Sequence, residues 1–193
     1  MSQRHLVSRL VAALLCLAAV GCTGAGLPAA QQPEAEPNRP RGRQLVEIAG
    51  LLAERGDRVR AAQYYAAAQK DGVPARDVMP KVIALYVADG QYRLAIEESE
   101  GYLRKHPGDH RIRRCLAALY MAIEALPEAM RTYELLVRDK PRDAEAHFAL
   151  ASLLTDTGGQ RARANSHYQT YLALAPHGAH AEEAQSRLLK IVR

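Results

Sequence analysis

The side chains best suited to acid–base or metal chemistry in this sequence are its histidines. His106 and His110 stand four residues apart, His177 and His180 stand three apart, and a metal ion accepts both spacings. No cysteine, aspartate or glutamate converges at a matching distance to complete either set. An HExxH pair, a phosphate-cradling glycine loop and a Ser/His/Asp set are missing as well. The sequence therefore predicts no catalytic residue, no metal, no cofactor and no small-molecule substrate.

The elements that would position any functional side chain are helices. Alanine and leucine, both strong helix formers, dominate the 193 residues, whereas the aromatic residues are nine Tyr, one Phe and no Trp. Clusters of β-branched and aromatic residues bounded by turn residues, which mark strands, are nearly absent. The formal net charge is +5, but basic and acidic residues alternate along the helices and form no basic face. We therefore expect an all-α protein that does not bind nucleic acid.

The N-terminal segment resembles a bacterial lipoprotein signal. Residues 1–9 are basic and contain no acid, and residues 10–20 form an uninterrupted apolar run. That run is well short of the ~20 residues that a membrane-spanning helix needs. The tetrapeptide Ala-Val-Gly-Cys at 19–22 is similar to a lipobox, in which the cysteine receives a diacylglycerol and becomes the first residue after cleavage. The resemblance implies that residues 1–21 are removed and that Cys22 is acylated, with palmitate among its chains.

An ordinary cleaved signal that ends near Ala25 or Ala30 is the alternative, and it would leave the protein without lipid. In the lipoprotein interpretation, several acyl chains on one residue anchor a protein stably. By resemblance, Asp after the lipidated cysteine retains a lipoprotein in the inner membrane. Thr23 occupies that place here, which favours the outer membrane of the bacterial envelope, on its periplasmic side.

Residues 22–43 are predicted to be a flexible tether, and residues 44–193 the folded domain. The tether holds four Pro and three Gly with almost no large apolar side chain, so it cannot bury enough surface to offset its ordering entropy. Three cysteines are too few for a disulfide framework. We expect Cys115, the one cysteine inside the predicted domain, to be a small buried hydrophobe.

Within the predicted domain the sequence repeats with a regular period, which is the mark of a repeat architecture. Ala61, Ala95 and Ala129 are spaced by 34 and 34, and Ala164 marks a fourth copy with one extra residue in its turn. Four residues after each alanine stands one of Tyr65, Ser99, Tyr133 and Tyr168. Glycine precedes three of the alanines, at Gly56, Gly90 and Gly158, whereas the third copy has Glu124. Proline follows three of them, at Pro107, Pro141 and Pro176.

This pattern resembles the tetratricopeptide repeat family, in which helix pairs stack into a right-handed α-solenoid. The resemblance implies four helix pairs, at about residues 42–75, 76–109, 110–143 and 144–178. Glycine would take a left-handed conformation between the two helices, and proline would end the second helix. Residues 179–192 are predicted to form a C-terminal capping helix, because a terminal repeat would otherwise expose its apolar face.

The resemblance also implies a binding groove, because the first helix of each pair lines the concave face in this family. Arg111 and Arg114 stand one turn apart and would grip a carboxylate, unless both are ordinary solvated arginines. Met121 and Phe148 are the sizeable apolar anchors of this surface. The predicted partner-binding residues are Arg43, Val46, Ala84, Val87, Arg111, Arg114, Met121, Phe148 and Thr155.

The function that the resemblance implies is a non-catalytic protein–protein interaction scaffold. Small lipoproteins of this layout resemble pilotins, which escort secretin subunits of pilus and secretion machines, and also resemble lipoproteins of outer-membrane barrel assembly. We therefore expect a membrane-anchored protein that binds a protein or peptide partner in the envelope. An accessory subunit that docks a periplasmic cell-wall or polysaccharide enzyme is the alternative, which the sequence leaves open.

Overall fold

The computed structural model describes residues 39–158 and 160–192, and these residues form nine α-helices and no strand. The helices are α1 (Arg39–Glu54), α2 (Arg58–Lys70), α3 (Ala75–Ala88), α4 (Tyr92–Lys105), α5 (His110–Ala122), α6 (Leu126–Asp139), α7 (Ala144–Asp156), α8 (Arg161–Leu174) and α9 (Ala181–Val192). Within those ranges no helix combines the length and the apolar character that crossing a membrane requires. The expectation of an all-α helical repeat fold is confirmed.

The chain divides into two units, one that ends at Tyr102 and one that begins at Leu103, so that α4 spans the boundary. In the first unit α1 packs against α2, and α2 packs against α3. Its core includes Ala49, Ala61, Tyr65, Val78 and Leu85. In the second unit each helix from α5 to α9 packs against the next one.

The alanines of the repeat lie in the core. Ala61, Ala95, Ala129 and Ala164 have no exposed surface. The aromatic residues of the repeat are also buried, at Tyr65, Tyr133 and Tyr168. Ser99 replaces the aromatic residue in the second copy and is fully buried; its hydroxyl donates a hydrogen bond of 2.6 Å to the carbonyl oxygen of Ala95. The polar group of Ser99 is therefore satisfied within its own helix.

The turns between paired helices have the left-handed backbone that the repeat predicts. Gly56, Gly90 and Gly158 have φ angles of +80°, +69° and +74°. Glu124 takes the same place in the third copy with φ +60°, and no other non-glycine residue in the described part of the chain has a positive φ. Pro127 follows in the first turn of α6, where its missing N–H costs nothing.

The first helix begins earlier than the predicted end of the tether. α1 starts at Arg39 and so includes residues 39–43. Gly42 explains part of this difference, because it is buried against the end of α2: a Cβ at Gly42 would lie 2.7 Å from Cγ2 of Val73. A proline is tolerated in the first turn of a helix, so Pro40 does not prevent this extension.

Candidate functional site

The first helices of successive pairs lie side by side in the second unit, as their side-chain contacts show. Arg114 on α5 is ion-paired with Asp143 at the start of α7. Arg187 on α9 pairs with Asp156 at the end of α7, with Nη1 and Oδ1 3.1 Å apart. We refer to the surface formed by α5, α7 and α9 as the first-helix face. It is the part of the second unit in which the sequence predicts a partner-binding groove.

Arg114 links the third helix pair to the fourth. Its guanidinium meets one carboxylate oxygen of Asp143, and the other oxygen accepts a hydrogen bond of 3.2 Å from the backbone N–H of Ala146. Asp143 is thus the N-cap of α7 as well as the partner of Arg114. The Nε of Arg114 is buried without a hydrogen-bond partner. Arg114 therefore engages a carboxylate of its own chain, whereas the sequence predicts that it grips the carboxylate of a partner.

Arg111, one turn away, is the more available arginine. Its side chain is 64% exposed, and its Nε lies 3.7 Å from Oδ1 of Asp109. Asp109 is itself the N-cap of α5, and its carboxylate accepts hydrogen bonds from the backbone N–H groups of Arg111 and Ile112. An ion pair this long, with its arginine mostly exposed, contributes little to stability. The guanidinium of Arg111 is therefore free to turn toward a partner.

Phe148 is a core residue of the second unit, with 8% of its surface exposed. Its ring lies 5.9 Å from that of Tyr168 in an edge-on arrangement and 5.3 Å from that of Tyr171. On its remaining side the ring of His180 stacks at 4.2 Å with an interplanar angle of 9°. The predicted apolar anchor is thus covered by an imidazole that the sequence analysis did not include in the groove.

His180 connects this aromatic cluster to the surface. Its backbone N–H donates a hydrogen bond of 2.9 Å to the hydroxyl of Tyr171, and its Nε2 lies 3.5 Å from Oε2 of the partly exposed Glu145. His180 immediately precedes α9. No spacing rule joins His180 to Phe148, which lies almost a full repeat earlier in the chain, so sequence reasoning had no signal for this contact.

The other predicted groove residues fall in different surroundings. Met121 packs against the core of the second unit, and the hydroxyl of Thr155 donates to the carbonyl oxygen of Ala151 at 2.8 Å. The remaining four belong to the first unit, in which Arg43 and Ala84 are exposed and Val46 and Val87 are half-buried. Cys22, the predicted lipidation site, lies outside the described residues.

Two histidines that the sequence analysis did not pair lie together between α7 and α8. Nδ1 of His147 is 2.9 Å from Nδ1 of His167, and Nε2 of His147 is 3.1 Å from the carbonyl oxygen of Pro141. Because a carbonyl oxygen accepts, Nε2 of His147 carries a proton, and in the neutral form of that ring its Nδ1 accepts the hydrogen bond from Nδ1–H of His167. Burial lowers the pKa of His167, and the nearby His147 and Arg163 lower it further, whereas Glu134 acts in the opposite direction.

The two imidazoles of this pair share one hydrogen bond. Within residues 39–158 and 160–192, no group of three or more His, Cys, Asp or Glu side chains is arranged to hold a metal ion. The two predicted histidine pairs have other neighbours: His110 lies 3.5 Å from Nη1 of Arg113, and His180 stacks on Phe148.

Cys115 is a free thiol on α5. Burial raises its pKa, and the positive charge of Arg114 opposes that effect without overcoming it. A thiol with a raised pKa forms little of the reactive thiolate. Cys115 is half-buried and not fully buried, and its behaviour as a small hydrophobe stays a prediction.

The comparisons with known proteins agree with the helical repeat. Residues 86–154 match a family model described as a tetratricopeptide repeat. No curated protein matches the chain significantly.

Among solved structures, a tetratricopeptide repeat protein from Parabacteroides merdae is similar with a TM-score of 0.69 and 18% identity. The similarity covers 79% of this chain and 60% of that one, so the chain spans less than two thirds of that relative. YrrB, described as a tetratricopeptide repeat protein with an unusual peptide-binding site, gives 0.59 and 20% over 80% of this chain and 84% of its own.

The first repeat domain of Spaghetti (RPAP3), bound to the HSP90 peptide SRMEEVD, is similar with a TM-score of 0.53 and 20% identity, over 60% of this chain and 88% of that one. Identities this low establish the fold alone. The family match indicates tetratricopeptide repeats over residues 86–154, and these structures show that the described residues have an all-α helical repeat fold.

Proposed function

We propose that this chain is a non-catalytic scaffold that binds a protein or peptide partner on the first-helix face of its second unit. The observation that carries the proposal is the position of Arg111 on this face, exposed and only loosely paired. The guanidinium is a strong ligand for a carboxylate, because it offers two parallel N–H donors. A partner with an acidic group near Arg111 fits this surface.

The similar structures support a peptide-binding role without assigning one. YrrB is described by its peptide-binding site, and the repeat domain of RPAP3 is bound to a peptide of HSP90. Both have the same fold as this chain, and a groove lined by helices suits an extended or helical peptide. These structures do not identify the partner of this chain, because proteins with the same fold can have different functions.

We further propose that the scaffold is held in the bacterial envelope by acylated Cys22, with the folded part facing the periplasm. The support is the order of features along the sequence: a basic segment, a short apolar run and a cysteine after small residues. In this role the protein assists the assembly of an envelope complex, such as a secretin, a pilus or the outer-membrane machinery. Docking of a cell-wall or polysaccharide enzyme is the alternative role.

Crosslinking on membranes followed by affinity capture tests the binding face. Arg111→Glu reverses the charge of the exposed arginine, and Arg131→Glu on α6 is the matched control. The two side chains are 64% and 68% exposed, and each is paired with one carboxylate nearby along the chain. We expect Arg111→Glu to reduce capture of the partner at least tenfold and the control to leave it unchanged. Equal capture by both variants would rule out the proposed face.

The identity of the captured protein separates the two roles. A secretin, pilus or outer-membrane assembly subunit supports the assembly role, whereas a glycan-cleaving or glycan-building enzyme supports the docking role. Mass spectrometry of the mature N-terminus tests the anchor independently. We expect an acylated Cys22, and an unmodified thiol at that residue would refute the anchoring proposal while leaving the binding face untouched.

A further inference from the structure

The first helix exposes an apolar surface that no described element of the first unit covers. Ile48 and Leu51 lie one turn apart on α1 and are 40% and 54% exposed, and Val59 at the start of α2 is 72% exposed. On the other side of α1, Val46, Ala49 and Leu52 pack into the core of the first unit. In a repeat protein, an outer face of this kind is where another helix would stack.

The last helix pair, in contrast, is covered by the C-terminal helix α9. Ala184 of α9 is fully buried, and Leu188 packs against the core of the second unit. The apolar face of α8 is therefore capped, as expected of a terminal repeat. The outer face of α1, with Ile48 and Leu51, has no such cap among residues 39–158 and 160–192.

The charged residues on either side of Leu51 make this surface self-complementary. Glu47 stands on α1 one turn before Leu51, and Arg55 follows directly after the end of α1, four residues beyond Leu51; both side chains are exposed. Neither side chain forms an ion pair with another described residue, although Arg41, Arg58 and Arg60 nearby are all paired. A surface with an acid on one side of an apolar centre and a base on the other suits an antiparallel copy of the same surface.

From this arrangement we propose that two copies of the chain pair through the outer face of α1, antiparallel and centred on Leu51. Leu51 then meets Leu51 of the second copy, and Ile48 adds apolar surface one turn before it. Glu47 of each copy lies near Arg55 of the other, which gives two ion pairs at the rim of the contact. This inference is independent of the proposed partner-binding face, which lies on other helices.

Sedimentation equilibrium over a range of concentrations tests the pairing. The protein used is the full-length chain with Cys22→Ser, a substitution that prevents lipid attachment. We expect a reversible dimer that dissociates on dilution, because few large apolar residues form the contact. Leu51→Glu should raise the dissociation constant at least tenfold, and Leu135→Glu on α6, at a leucine of similar exposure, should leave it unchanged. A wild-type chain that is monomeric throughout, or a dimer indifferent to Leu51→Glu, would overturn the proposal.

Charge reversal gives a sharper test of the antiparallel geometry. Glu47→Arg alone and Arg55→Glu alone should each weaken self-association at least tenfold, because like charges then face each other. The double variant should restore self-association, since the acid and the base only change places and opposite charges face each other again. A mixture of the two single variants should form a heterodimer, because each surface then faces one of opposite charge. If the singles weaken the dimer and neither the double variant nor the mixture restores it, the pairing is not the one proposed.

The N-terminal residues are the competing occupant of this surface. If residues 1–38 cover Leu51 within one copy, the wild-type chain stays monomeric, and Leu51 becomes accessible only when that segment is removed. Limited proteolysis before sedimentation distinguishes this outcome. Protection of Leu51 in a monomer, measured by hydrogen exchange of α1, would refute pairing of two copies.

Discussion

Arg114 on α5 is ion-paired with Asp143, whose other carboxylate oxygen caps the first turn of α7. One carboxylate therefore ties the third helix pair to the fourth and also stabilises the start of the fourth. Similar pairs join neighbouring helix pairs elsewhere, each with its two members almost one repeat apart: Arg58 with Asp89, Arg163 with Glu134 and Arg187 with Asp156. This separation in the sequence recurs because equivalent positions of successive repeats lie side by side.

Substitution of Asp143 separates its two roles. Asp143→Ala removes the cap and the ion pair, and we expect it to lower the free energy of unfolding by about 1–2 kcal/mol. Asp143→Asn keeps an oxygen for the N–H of Ala146 and loses only the charge, so its effect should be less than half as large. Urea unfolding followed by circular dichroism measures both. Equal losses for the two variants would mean that the cap contributes nothing.

Replacement of Glu124 by glycine should stabilise the protein. Glu124 has φ +60°, a conformation that costs a residue with a Cβ about 1 kcal/mol and costs glycine little. We therefore expect Glu124→Gly to raise the free energy of unfolding by about 1 kcal/mol. Gly90→Ala, at the equivalent turn with φ +69°, is the reciprocal control and should lower it by a similar amount. A destabilised Glu124→Gly protein would show that the side chain of Glu124 has a favourable role.

Stability should decline as the pH falls below about 6.5, the ordinary pKa of histidine. Burial, His147 and Arg163 lower the pKa of His167 in the folded protein. Between the unfolded and the folded pKa, the unfolded chain therefore binds more protons, and the free energy of unfolding decreases with decreasing pH. Urea unfolding between pH 5 and 8 should show a shallower decline for His167→Gln. His177→Gln, at an exposed histidine, should behave like the wild type. An unchanged slope in His167→Gln contradicts the prediction.

The turn between α8 and α9 should depend on the hydroxyl of Tyr171. Tyr171→Phe leaves the N–H of His180 without its acceptor, and we expect a loss of about 1 kcal/mol. Gly178→Ala should also destabilise, because a Cβ there would lie 2.5 Å from that hydroxyl. The double variant should lose less than the sum of the two, since the phenylalanine relieves the clash. Gly108→Ala, where a Cβ meets nothing within 4 Å, should have little effect. Strict additivity would show that the hydroxyl and Gly178 do not interact.

The repeat pattern predicts the fold well because each of its positions has a local mechanical cause. The regular spacing identified Ala61, Ala95, Ala129 and Ala164, and all four are fully buried. The same alignment located the left-handed turns, including the one at Glu124, where glycine is absent. These features depend on the close approach of two helices that adjoin in the sequence, so they can be recognised without long-range contacts.

The candidate site was less predictable, because its side chains meet across repeats. A position rule places Arg114 in the groove but does not show that Asp143, at the start of the next helix pair, engages it. A search for opposite charges separated by slightly less than one repeat would have found this pair. No comparable rule brings His147 to His167, or Phe148 to His180, because these contacts depend on how the side chains pack.

The stacked rings of Phe148 and His180 also provide a spectroscopic label. A proton held over the face of a benzene ring experiences the ring current, which moves its NMR resonance upfield. At 4.2 Å and 9°, the imidazole protons of His180 should show such a shift, and the chain contains one phenylalanine, so Phe148→Leu identifies its source. The resonance then reports, without any attached probe, whether a bound partner displaces α9 from α7.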